Sequence, residues 1–339
     1  MNRIPVAEPG AKGRRGFALW ALGFRPFYLG GALFGSAAML VWLAALDGHP
    51  LPGIESPLPG VLWHVHEMIF GFAAAIVACF LLTAVRAWTM VTPAQGRSLA
   101  ALNLTFHLAT AGGHMDWALR SAYVAVGLLV LFVTIIGGRI IPSFTANAIP
   151  GFEVRRWARV EATVMPLTAL AFVLDGVDAP RVAVVASAIA AAFVQGLRLW
   201  GWRSWRVGNR PILAILHIAY AWIPVGCAML ALAAAGVVAH SLAIHAFTVG
   251  AIGCAIIAMI TRTARGHTGR PLVAGRIEVA CYALLVLAAL IRVFGPWLAP
   301  QWTSAWIDAS GASWIAAFAA YCVRYAGWLM APRVDGKEG

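Results

Sequence analysis

His64, His66 and Glu67 stand together in "WHVHEMIFGF", at the mouth of a run from Ile69 to Thr83 that carries no charge. Imidazole can ligate haem iron or copper, carry a proton, or cap a helix. On a helix His64 and His66 lie about 200° apart, so they face different partners, whereas His64 and Glu67 share a face. His240 and His245 open a second apolar run, "HSLAIHAFTVGAIG". Histidines from two helices at one membrane level can grip a haem iron from both sides or supply imidazoles to copper. Interfacial capping in contact with water is the equal alternative for these residues.

Other polar residues join the search, because an ionisable group within an apolar span points to function by default. His107 sits part-way along a short apolar stretch, and His217 lies within "LHIAYAW". His267 falls in "ITRTARGHTGRPL" beside Arg262, Arg265 and Arg270. Guanidinium groups there suit a haem propionate, a lipid phosphate or another anion, and a positive-inside anchor explains the arginines as well. Arg139 in "IIGGRIIPSF" carries the same two readings, with Pro142 expected to end its helix near the membrane surface. The five cysteines lie singly in apolar segments with no CxxC pair, and read as small buried residues. Gly31 and Gly35 form a GxxxG, a pattern frequent by chance in glycine-rich spans. There is no HExxH, GxSxG, Walker loop or GxGxxG, so chemistry here falls to a bound cofactor.

The elements that must hold these groups follow from composition. Apolar residues make up 61% of the chain and charged residues 11%, with mean hydropathy +0.81, too apolar for a soluble fold to bury. Ten apolar segments run over about 18–46, 68–86, 98–112, 118–136, 160–175, 181–199, 212–235, 241–261, 277–294 and 312–330. All but 98–112 and 160–175 approach the ~20 residues a crossing helix needs. The expected fold is all-α: one polytopic integral membrane bundle of about ten transmembrane helices in direct contact with the lipid bilayer. With the N-terminus inside, alternate connections hold nearly all the arginines, while the other side keeps Arg120, Arg181 and Arg292. That asymmetry puts both termini in the cytoplasm, with tails over 1–17 and 331–339. The net charge of +12 therefore orients helices, and no nucleic-acid partner is expected. "GRRGFALWALGF" has the basic flank of a leader but continues past Arg25-Pro26 to Leu46 without a convincing cleavage site, so it reads as a retained first helix.

The blocks "GFRPFYL", "WHVHEMIFGFAAAIVACFLLTAVRAWT", "GGRIIPSFTAN", "LHIAYAWIPVG", "HAFTVGAIG" and "RTARGHTGRP", in this order along nearly the whole chain, resemble the NnrS family. The resemblance implies a multi-pass protein of the bacterial inner (cytoplasmic) membrane that carries haem, of b type, and copper. It further implies a role in nitric oxide metabolism and nitrosative-stress resistance. Carried over, it makes His64, His66, His217, His245 and His267 candidate haem or metal ligands, with His107 a further metal candidate. Glu67 becomes a partner fixing an imidazole tautomer or carrying a proton, and Arg25, Arg139 and Arg262 partners of propionates. The motifs identify no electron donor. Family members typically have about twelve spans, and Thr89 to Ser98 is a short connection where an extra helix pair would stand, so this chain looks shortened. The competing readings are a transporter for a metal, haem or proton-coupled solute, and a structural or sensory membrane subunit. No internal repeat relating the two halves is apparent in the sequence to favour transport.

Overall fold

The computed structural model describes residues 17–53, 58, 60–80 and 95–336. The basic N-terminal flank with Lys12, the stretch containing Arg86 and Thr89, and Lys337 lie outside the described residues. Among the described residues every regular element is helical. In chain order the long helices are α1 Phe24–Leu46, α2 Gly60–Phe80, α3 Gln95–Ala111, α4 Met115–Ala148, α5 Ala158–Gly176, α6 Arg181–Gly201, α7 Pro211–Ala234, α8 His240–His267, α9 Arg276–Leu298 and α10 Thr303–Met330. Seven of these are long and apolar enough to cross a membrane; α3, at 17 residues, and the less apolar α5 and α10 fall outside that set. Helices suit such a sequence because lipid offers no hydrogen bonds, so each backbone group must find its partner within the segment.

Local sequence sets the ends. Pro26 and Pro211 sit in first turns, where a missing N–H costs nothing. Gly236 (φ 78°) and Gly269 (φ 77°) adopt the left-handed conformation just past α7 and α8, which terminates both helices. Pro142, expected to end α4, does not: the helix continues through it to Ala148. Membrane helices tolerate such prolines where neighbouring helices and hydroxyls serve the freed backbone groups.

α4, α7 and α8 form the enclosed centre, with α6 against α7, α3 against α4, and α9–α10–α1 closing the other side. Small residues allow the close approaches. A Cβ on Gly31 would overlap Ile76 and one on Gly35 would overlap Phe72, so the GxxxG of α1 is the seat of α2. A polar network fastens α4 to α7: Gln195 donates to Thr134 and Thr168, Tyr220 donates to Gln195, and Arg198 donates to Tyr220 and pairs with Glu161 at 2.6 Å. Breaking a largely buried pair of this kind costs about 3–5 kcal/mol. At one end of the bundle α1 begins where α10 finishes: Ala18 N donates to Met330 O, and Arg25 Nη1 donates to the carbonyls of Leu329 (2.8 Å) and Ala331 (2.7 Å).

Candidate functional site

The histidines of α2 and α8 each precede a widened π-helical stretch, Glu67–Ala73 after His66 and Ala246–Gly253 after His245. Such segments concentrate at functional sites, since the extra residue in the turn re-aims side chains. His66–Gly71 and His245–Gly250 share the spacing H-x4-G. In both, an aromatic side chain of the preceding helix lies over the glycine: Phe34 of α1 over Gly71, Trp222 of α7 over Gly250. The two helix pairs are thus a local structural repeat, too short in sequence to stand out by inspection.

Between α1, α2, α4, α8, α9 and α10 lies a cavity of about 370 Å³ lined by His64, His245, Arg292, Trp42, Tyr123 and otherwise mainly apolar side chains. This is within the ≈ 300–1,000 Å³ typical of ligand pockets. His64 stacks on Trp42 (centroids 4.8 Å apart), and its Nδ1 is buried without a hydrogen-bond partner. His245 Nδ1 donates to the Ser241 carbonyl at 2.6 Å, which fixes the tautomer and leaves Nε2 as the acceptor or ligand atom. Arg292, in the apolar stretch "ALIRVFG" of α9, supplies the cation of the cavity wall.

His66 turns the other way, as the 200° spacing requires. Its Nδ1 meets Glu67 Oε1 at 3.0 Å and its Nε2 meets His107 Nε2 at 3.1 Å, with Phe70 and Phe106 packed around the ring. Helical spacing puts Glu67 on the face of His64, but its carboxylate turns to the adjacent His66 instead. His107 is exposed on α3.

The remaining predicted residues do not join either group. Both ring nitrogens of the buried His217 are engaged, Nε2 with Thr145 Oγ1 at 3.0 Å and Nδ1 with Ser204 Oγ at 2.8 Å, so it ties α4, α7 and the short turn Ser204–Val207 together. His267 lies against Phe24 at the far end of α8, and Arg25 is engaged by the carbonyls that end α10. Arg262 stacks on Phe144 with 4.0 Å to the ring centroid, and Arg139 is exposed on α4. His240 pairs with Asp175 at 3.0 Å and packs on Tyr123. Among the described residues no three His, Cys, Asp or Glu side chains gather as a metal cluster. Arg292 is the cavity residue that the motif reading missed; the signal was a charge deep within an apolar span.

A family model described as NnrS protein matches residues 18–102 and 98–333, and no curated protein matches. The two matched segments overlap at residues 98–102. The chain belongs to the NnrS family.

Proposed function

Taking that membership as premise, we propose that the protein binds haem in the cavity between α2 and α8, with His64 and His245 as the iron ligands and Arg292 as the partner of a propionate. The observation that carries the reading is the meeting in one apolar cavity of two imidazoles from two helices and one guanidinium. An orphaned Nδ1 on His64 and a tautomer-fixed His245 fit such a group. Arg292 takes the role that the resemblance gave to Arg25, Arg139 and Arg262, which are engaged or remote. Copper falls to His66 and His107, whose Nε2 atoms already face each other, with Glu67 holding the His66 ring from behind.

Bound haem would supply an iron that passes an electron, or that takes up nitric oxide where one imidazole gives way, and this is the basis for a role in nitric oxide metabolism or nitrosative-stress resistance. The chain's own residues do the rest. Trp42 and Trp314 line the cavity with apolar surface, His245 is oriented by Ser241, and the apolar walls admit a small uncharged gas more readily than an ion. Family membership supports a place in the bacterial inner membrane, and the excess of arginine on alternate connections supports cytoplasmic termini.

Optical spectra of detergent-purified protein, oxidised and reduced, with and without nitric oxide, test the reading alongside metal analysis. A Soret band is the expected result: iron held by both histidines keeps its bands unmoved by the gas, and a shift shows that one imidazole yields its place to nitric oxide. Protein reconstituted with haem that shows no Soret band overturns it, and a metal or haem that washes out stoichiometrically points to transport.

A further inference from the structure

The tract "RTARGHTGRP" stays outside the cavity, yet it builds something of its own. Where α1 begins and α10 ends, five guanidinium groups gather from three parts of the chain: Arg25, Arg265, Arg270, Arg324 and Arg333. Two carboxylates answer them. Glu278 receives Arg265 Nη2 at 2.6 Å and Nε at 3.2 Å, the Tyr325 hydroxyl at 3.0 Å and the Gly275 backbone N–H at 2.9 Å. Asp335 takes Arg333 through both oxygens.

Arg270 and Arg324 are the least committed of the five. Among the described residues Arg270 donates only to the Thr268 carbonyl, at 3.4 Å, and Arg324 Nε is buried without a hydrogen bond, 3.6 Å from Glu278. Both lie over the Trp328 ring, at 4.3 and 4.1 Å from its centroid, with Arg265 third at 5.2 Å. The indole quadrupole attracts each cation, but it cannot cancel their repulsion of one another. Burial, then the charges of Arg324, Arg265 and Arg25, hold Arg270 below the ordinary arginine range. Anchoring on the positive side of a membrane explains many arginines. It does not explain two guanidinium groups brought together on one indole with hydrogen-bond donors to spare.

We propose that Arg270 and Arg324, seated on Trp328, bind the phosphodiester of an anionic phospholipid headgroup. Guanidinium forks match phosphate oxygens, and Trp328 in the last turn of α10 stands where aromatic side chains meet the headgroup layer. Basic pockets between transmembrane helices take such headgroups. The site shares no residue with the haem cavity and does not depend on the haem assignment.

Native mass spectrometry of the detergent-solubilised full chain tests this, with phosphatidylglycerol, phosphatidylcholine of the same acyl chains, and inorganic phosphate as probes. Phosphatidylglycerol is expected to bind roughly tenfold or more tightly than phosphatidylcholine, with R270Q and R324Q each erasing most of that preference and R139Q leaving it intact. Equal binding of the two lipids, or a preference untouched by R270Q, overturns the proposal. Displacement of the lipid by millimolar phosphate overturns the lipid assignment and leaves a free-phosphate site. Should R324Q fail to accumulate, R270Q, on the loop after α8, decides alone.

Discussion

In α2 the widened turn follows His66 and passes Gly71 beneath Phe34; in α8 it follows His245 and passes Gly250 beneath Trp222. The backbone device is the same, but its surroundings are not. His245 has a backbone carbonyl on Nδ1 and opens toward a cavity, within one of the most enclosed helices of the bundle. His66 has a carboxylate on Nδ1 and another imidazole on Nε2, at the junction with short α3. The comparison teaches that the π-helical turn settles where an imidazole emerges, while its neighbours settle what that imidazole can hold. A carbonyl-oriented ring beside an apolar cavity suits a large flat ligand; a carboxylate-oriented ring against a second ring suits a single ion.

The largest effect should come from setting the two histidines against each other. His245→Ala is expected to lower haem affinity beyond the roughly 10–100-fold that removing an orienting partner costs, and His66→Ala to leave haem in place while copper is lost. Pigment and metal content of the two purified variants give the answer, and parallel losses in both would dissolve the distinction. Glu67→Gln sharpens it: copper affinity should fall by roughly 10–100-fold with haem absorbance unchanged, measured by competition with a copper chelator. Smaller effects should separate the glycines. Gly250→Ala is expected to cost about 1–3 kcal/mol in detergent unfolding, because Trp222 is nearly fully buried and cannot yield. Gly71→Ala should cost less, since Phe34 is 39% exposed and can swing aside. Smallest of all, His240→Ala removes a partly exposed pair with Asp175 and should change stability by under about 1 kcal/mol, with haem and copper binding unchanged.

Much of this architecture was legible in the sequence. Long uncharged runs announced the helices, short α3 included, and the divergence of His64 from His66 follows from helical pitch alone. Other features were hidden for identifiable reasons. The pairing of Glu67 with His66 rests on a side-chain rotamer, which helical spacing does not fix. His217 resembled a ligand until both its nitrogens were accounted for by Thr145 and Ser204, two hydroxyls from different parts of the chain. Pro142 reads as a helix end under the rules for water-soluble proteins, and those rules weaken in lipid. The Gln195–Tyr220–Arg198 network rests on contacts among four helices, which no local pattern encodes.

The clasp between Arg25 and the carbonyls of Leu329 and Ala331 joins residues 304 and 306 positions apart. At a synthesis rate of about 5–20 residues per second, the partners of Arg25 emerge roughly 15–60 s after it does. The first helix is therefore inserted early and seated late. Until then the Arg25 guanidinium lacks the two carbonyls that hold it, and α1 is fully seated only when α10 closes against it.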